Sequence, residues 1–255
     1  MAFMNEKKRV LKEYFGFDSF RDLQEEAVDA PLQGRDLLTV LPTGGGKSLC
    51  YQLPTLLMDG LTVVISPLIA LMQDQVAALQ ANGIAAQMIS SSQKSEEIRE
   101  IYYKIANSQL KLLYVAPERL HPNFLSLLST VKLNFFVIDE AHCLSEWGHD
   151  FRSDYRRLDI LKQTFANTPV AAFTATATAK VQDDIIRTLQ LKEPRRIKAK
   201  AYRPNLHIHV QQRQSGGRSQ ILSFLQQFAS ERGIIYTYTR KESENLAEFL
   251  VKKGY

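Results

Sequence analysis

Leu41-Pro42-Thr43-Gly44-Gly45-Gly46-Lys47-Ser48 lies between an apolar run, Asp36–Val40, and a segment of helical period, Lys47–Met58. A strand, a glycine-rich loop and a helix in that order form the setting of a phosphate-binding loop. Glycines 44, 45 and 46 let backbone N–H groups turn toward phosphate with no Cβ in the way. The helix start adds its partial positive charge. In such a loop Thr43 and the glycines line the cradle, Lys47 reaches the β- and γ-phosphates, and the Ser48 hydroxyl ligates Mg²⁺. The strict pattern has glycine where Leu41 stands, a departure that marks a subclass.

Far downstream, Asp139-Glu140-Ala141-His142 closes another apolar run, Phe135–Asp139. Open α/β sheets bind ligands at the C-terminal ends of their strands. There Asp139 can hold Mg²⁺, directly or through water, and Glu140 can orient or deprotonate an attacking water. His142 can link the nucleotide site to a second site. Alone, the segment reads equally well as a strand end with solvated charges; the phosphate loop makes the catalytic reading the stronger one.

Between and around these two segments, β-branched apolar runs alternate with helix-period stretches. Expected strands are Asp36–Val40, Leu61–Ser66, Ala85–Ile89, Lys111–Val115, Phe135–Asp139 and Val170–Thr174. Expected helices are Lys47–Met58, Leu68–Ala81, Ser95–Asn107 and Ala179–Leu189. Phe135-Phe136-Val137-Ile138 is apolar throughout, as a strand covered on both faces must be. The rhythm predicts an α/β fold with a parallel sheet flanked by helices.

A seam is expected near Arg195–Pro204, dividing residues 1–200 from residues 201–255. Its basic cluster, Arg195, Arg196, Lys198 and Lys200, reads as a solvated linker or as a contact to DNA phosphates. Beyond it, strands His207–Gln211 and Gly233–Thr237 and helices Gln220–Ser230 and Lys241–Lys252 are expected. Two strands and two helices make a marginal core, so this part reads as the start of a larger unit. His207 and His209 share a strand face in this reading, but no third metal ligand accompanies them.

The chain has 255 residues, 45% hydrophobic and 23% charged, with a net charge of +5. That excess permits a polyanion partner without requiring one. Cys50 and Cys143 have no zinc spacing and make no disulfide framework, so a reducing compartment is expected and zinc is not. Met1–Val10 shows no secretion signal, and no apolar run is long enough to span a bilayer. The expected location is the cytoplasm or nucleoid, with no membrane partner.

Taken together, these motifs resemble the RecQ family of DNA helicases, in helicase superfamily 2, over essentially the whole chain. Phe15-Gly16-Phe17, Phe20-Arg21 and Gln24 resemble the family's adenine-reading motif. The resemblance implies that Gln24 hydrogen-bonds adenine, with Phe17 and Arg21 bracing the base; alone, the segment reads equally as a helix start. Ser66-Pro67 and the residues to Gln75, and Ala116-Pro117-Glu118-Arg119-Leu120, resemble DNA-contact motifs that follow strands and open helices. Cys143–Arg152 resembles the aromatic-rich loop that sets the family apart. The resemblance implies that Trp147 and Phe151 stack on unpaired bases and that His149 and Arg152 carry the signal to the nucleotide site. On composition alone, Trp147 reads equally as a core residue. Thr174-Ala175-Thr176-Ala177-Thr178 looks like the motif that couples hydrolysis to DNA movement, and Gly233–Arg240 like the first motif of a second lobe.

What the resemblance implies is a RecA-like P-loop NTPase lobe followed by the start of a second RecA-like lobe. Its ligands are ATP and Mg²⁺, and its partners are single-stranded and partly duplex DNA. The implied activity is ATP-driven 3′→5′ unwinding in DNA recombination and repair. The family's later second-lobe motifs, which supply an arginine finger, are not among these residues, so weak hydrolysis and unwinding are expected. Two other readings stay open: a non-catalytic nucleotide-dependent nucleic-acid-binding module, and an RNA helicase.

Overall fold

The computed structural model describes residues 2–148, 150, 152–200 and 205–255, and no side chains at 2–4 or 153. The chain divides into two compact units that part between residues 201 and 202.

The first unit opens with two helices, α1 (Ala2–Phe15) and α2 (Gln24–Leu32). Strands and helices then alternate: β1 (Leu37–Val40), α3 (Lys47–Leu56), β2 (Leu61–Ile65), α4 (Ile69–Ala81), β3 (Ala86–Ile89), α5 (Ser95–Ala106) and β4 (Leu112–Val115). After them come α6 (Pro122–Leu128), β5 (Leu133–Ile138), α7 (Ile160–Thr164), β6 (Val170–Thr174), α8 (Ala179–Thr188) and β7 (Arg195–Lys198). Single-turn 3₁₀ segments at Pro117–Arg119 and Ala141–Leu144, and a longer one at Ser153–Asp159, fill the connections.

The strands form one seven-stranded sheet in the order β3-β4-β2-β5-β6-β1-β7, every pair parallel. Alternate residues of the inner strands feed two separate cores, because side chains along a strand point to opposite faces. Phe136 and Ile138 pack into one face with Leu113, Val115 and Ala172. Phe135 and Val137 pack into the other with Leu112, Tyr114 and Phe173. Helices therefore cover both faces, as the near-continuous apolar strands require. Truncating a fully buried Phe of β5 to Ala would cost about 3–5 kcal/mol.

The expected seam is in part an element of the sheet. Arg195–Lys198 pairs with β1 as its edge strand, with Arg195 opposite Leu37 and Lys198 opposite Val40. Only Ile197 of the four is buried. Arg195 Nε donates to Glu26 at 2.6 Å, and Arg196 Nη1 to Asp183 at 3.0 Å. Half of the basic cluster is thus committed to acids of its own unit. Residues 201–204, at the end of the seam, lie outside the described residues.

Asp36, expected as the first strand residue, instead sits just before β1 and is 4% exposed. Its carboxylate accepts from Lys162 Nζ at 2.7 Å, from Val170 N at 2.8 Å and from Lys192 N at 2.7 Å. One buried charge thus ties α7, β6 and the approach to β7 to the start of β1.

The second unit contains α9 (Arg218–Gln227) and α10 (Arg240–Val251). Thr239 caps α10, its hydroxyl accepting from Glu242 N at 3.1 Å. The strands expected at 207–211 and 233–237 do not form: both segments lack ladder bonds. Ile208 and Tyr236 are each 89% exposed. A strand exists only with a partner for its N–H and C=O groups, and none of the described residues supplies one. Among the described residues, no helix is long and apolar enough to cross a membrane.

Candidate active site

The sheet order places β6 between β5 and β1, so the loops that leave these three strands meet at one edge. Leu41 N donates to Thr174 O at 3.1 Å, and Asp139 N to Ile65 O at 2.9 Å. The glycine loop and the Asp139–His142 turn therefore flank Thr174.

Gly44 and Gly46 take positive φ values of 78° and 77°, a region that disfavours any Cβ. A Cβ on Gly45 would lie 2.8 Å from Pro42 O. Helix α3 starts at Gly46 with no side-chain cap, which leaves its first N–H groups for a ligand. Lys47 Nζ rests on Leu41 O at 3.3 Å, Arg21 Nη1 on Gly44 O at 2.6 Å, and Gln24 Nε2 on Gly45 O at 3.2 Å. Phosphate oxygens are stronger acceptors for cations than neutral carbonyls are, so a triphosphate can displace such contacts. Gln24 is 3% exposed, and its Oε1 accepts from Arg21 N at 2.8 Å. Its amide braces the loop here. Phe17 is half-exposed and Thr43 is exposed.

Asp139 is 7% exposed, and burial first, then the neighbouring Glu140 charge, pushes its carboxyl up to about 6. Lys47 and His142 act in the opposite direction. A buried carboxylate and a hydroxyl at a helix start are the oxygen donors a hard cation takes, so Ser48 and Asp139 suit Mg²⁺. Tyr155 OH donates to the Asp139 carbonyl at 3.1 Å and fixes the turn from behind. Glu140 adopts φ 48°, a left-handed conformation costly for a side-chain-bearing residue and often found at functional sites.

His142 joins the parts. Its Nδ1 is 3.3 Å from Glu140 Oε2 and 3.0 Å from Thr174 Oγ1. Thr174 Oγ1 in turn donates to Thr176 O at 3.2 Å. The Cys143 sulfur on one side of the ring and Glu140 on the other raise His142 to about 9, against the cost of burial.

Beyond the turn, Arg152 Nη1 donates to Pro67 O at 3.1 Å, and Arg152 N to Cys143 O at 3.1 Å. The loop after the turn thus touches the loop after β2, where Ser66 is buried with an unpartnered hydroxyl. Trp147 is 65% exposed, which removes the core reading. His149 and Phe151 lie outside the described residues. Pro117 starts a 3₁₀ turn and not the helix expected there, and Arg119 Nη2 is bound to Ser90 O at 2.8 Å. Arg119 therefore braces the end of the neighbouring strand β3.

Two residues on α8 escaped the sequence reading. Lys180 Nζ lies 3.0 Å from the Trp147 ring centroid, and Asp184 accepts from Ser145 Oγ at 2.8 Å. Their i,i+4 spacing directly after Thr178 was the available clue. No metal cluster among the described residues includes His207 or His209.

The profile of the DEAD/DEAH box helicase family matches residues 21–185. An ATP-dependent DNA helicase RecQ of Haemophilus influenzae is 48% identical over 96% of this chain and 40% of its own length. An ATP-dependent DNA helicase RecQ of Pasteurella multocida is 45% identical over 96% of this chain and 39% of its own. Among solved structures, the DUF1998 helicase MrfA superposes with a TM-score of 0.69 at 19% identity, covering 98% of this chain and 41% of that one. That last likeness concerns the fold alone. The chain thus spans about 40% of the length of these two RecQ relatives.

Proposed function

Because the chain belongs to the DEAD/DEAH box helicase family and corresponds to the N-terminal part of RecQ-type members, we propose that it is the nucleotide-hydrolysing front of a RecQ-type DNA helicase. The observation that carries this is the contact of His142 with both Glu140 and Thr174, which joins the hydrolytic turn to the end of β6.

In this reading the N–H groups of residues 44–48 and the Lys47 ammonium hold the ATP phosphates. Ser48 and Asp139 hold Mg²⁺, which when bound neutralises charge on the phosphate oxygens. Glu140 orients the attacking water and accepts its proton. Gln24 reads adenine once nucleotide releases it from Gly45, with Phe17 and Arg21 bracing the base. Trp147 stacks on an unpaired base, joined by Phe151, while His149 and Arg152 pass the change to Pro67 and to the turn. Thr174 and Thr176 connect hydrolysis to movement, and Ser66, Pro67, Pro117 and Arg119 mark the path of the strand.

The finer reading is 3′→5′ translocation on single-stranded DNA and unwinding of partly duplex DNA, in recombination and repair at the nucleoid. These 255 residues bind ATP–Mg²⁺ and DNA but turn ATP over slowly, because the described residues of unit 2 pair no sheet from which to project an arginine finger. ATP turnover measured with and without a single-stranded oligodeoxynucleotide, beside Lys47→Ala, tests this. Slow turnover raised by DNA and lost in the variant is expected. DNA binding that ignores both ATP and the Lys47 change would favour a non-catalytic module. Equal stimulation by RNA would favour an RNA helicase.

A further inference from the structure

His142, Cys143 and Asp150 bring an imidazole, a thiol and a carboxylate to one point, with one ligand atom of each within 4.8 Å of the others. Cys143 Sγ lies 3.8 Å from His142 Nε2 and 3.9 Å from Asp150 Oδ2. In a tetrahedral site with metal–sulfur near ~2.3 Å and metal–nitrogen or metal–oxygen near ~2.0 Å, ligand atoms stand about 3.5 Å apart. The two separations from the sulfur need only a few tenths of an ångström of closure, and the His142–Asp150 separation lies within 4.8 Å. We propose that these three side chains form a site for a soft divalent cation of the Zn²⁺ class, distinct from the Mg²⁺ position at Ser48 and Asp139.

The surroundings favour that choice. His142 faces Glu140 and Thr174 with Nδ1, so Nε2 is the nitrogen turned toward Cys143. A ligating histidine whose other nitrogen is held by a carboxylate is the usual outer-shell arrangement of a zinc site. Sulfur and imidazole select zinc over magnesium. His142 and Cys143 are both buried, in the short turn Ala141–Leu144, so their positions are fixed. Asp150 is exposed, which gives the cation a way in and leaves a fourth position for water. Its Oδ2 is shared with Arg152 Nε and Nη2 at 3.3 and 3.1 Å, and its second oxygen adds ligand capacity.

On binding, the proton of the Cys143 thiol and any proton on His142 Nε2 pass to solvent, the sulfur stays as a thiolate ligand, and the Nδ1 proton stays on the ring, facing Glu140. A cation held there ties Asp150, in the Trp147 loop, to the turn beside Glu140. If the reading under Proposed function holds, that loop moves when DNA arrives, and occupancy is inhibitory. The ligand set itself does not depend on that reading. Adjacent ligands at 142 and 143 with the third at 150 resemble no common zinc spacing, which is why the sequence pattern conceals the site.

The test is Co²⁺ added to the 255-residue chain and followed by absorption. A near-ultraviolet thiolate-to-cobalt charge-transfer band with tetrahedral visible bands, displaced by Zn²⁺, is expected. Cys143→Ser should abolish the charge-transfer band and Cys50→Ser should keep it. Asp150→Asn, at an exposed position that leaves folding intact, should weaken Co²⁺ roughly 10- to 100-fold, on the scale of losses around metal sites. A band that survives Cys143→Ser, a band lost with Cys50→Ser, no response to Asp150→Asn, or no band in large molar excess of Co²⁺ would overturn the proposal. Circular dichroism confirms that each variant is folded. No arm requires ATP hydrolysis, so the result is independent of the helicase reading.

Discussion

The Nδ1 atom of His142 stands 3.0 Å from the Thr174 hydroxyl, across the boundary between β5 and β6. Because the same nitrogen is 3.3 Å from Glu140, the residue proposed to activate water senses the end of β6 through one imidazole. Thr174→Val keeps the shape and removes the hydroxyl. Turnover in the presence of single-stranded DNA should fall about tenfold, equivalent to about 1.4 kcal/mol of lost hydrogen bonding, with ATP affinity unchanged. Steady-state kinetics at saturating ATP and DNA checks this; a change in KM for ATP alone would speak against the link.

Asp139 titrates at about 6 in the folded chain, against 3.8 for the free group. The folded state therefore holds the proton more tightly, and stability declines as pH rises through about 6. Without Mg²⁺, Asp139→Asn should stabilise the chain near neutral pH by on the order of 1–3 kcal/mol. That gain should fade as pH falls toward the unfolded value. Denaturant melts across pH read it directly, and an equal gain at every pH would mean that the buried charge is not its source.

Lys180 covers the face of the only tryptophan in the chain. Lys180→Ala should make Trp147 more accessible to a neutral quencher, while global stability changes by under ~1 kcal/mol. Fluorescence quenching separates this from an unfolding effect, because unfolding would also shift the emission maximum.

The Asp36–Lys162 pair is buried, with the two side chains 3% and 7% exposed. Lys162→Met alone should cost about 3–5 kcal/mol by leaving Asp36 unpaired. Adding Asp36→Asn should recover part of it, because it removes the unpaired charge and its amide oxygen still accepts from one of the Val170 and Lys192 N–H groups, which bond different oxygens of the carboxylate. Urea unfolding of both variants gives the comparison.

Much of this was readable from the chain because the parallel sheet writes itself as short apolar runs. Phe135–Ile138 could be nothing but a strand buried on both faces, and the glycines at 44–46 announced the loop. Arg195–Lys198 was concealed because an edge strand needs to bury only one face, and here a single residue, Ile197, does so. Helices α1 and α2 were not delimited: Pro31 interrupts the pattern of α2, which starts from Leu23 at a positive φ of 67°. In unit 2 the strand-like pattern of His207–Gln211 was real as propensity but has no neighbour to pair with among the described residues. The site's residue types were legible; the contact of Lys180 with Trp147 was not, since it joins a loop to a helix more than one element away.

Coupling between nucleotide and DNA through the Trp147 loop is the central claim, and the fluorescence of that one tryptophan tests it most directly. Single-stranded DNA should be titrated into the chain with and without a non-hydrolysable ATP analogue and Mg²⁺. DNA should change the Trp147 emission, and nucleotide should shift the DNA Kd several-fold in the natural sequence but not in Lys47→Ala. A DNA Kd that is the same with and without nucleotide, or an emission that ignores DNA, would contradict it.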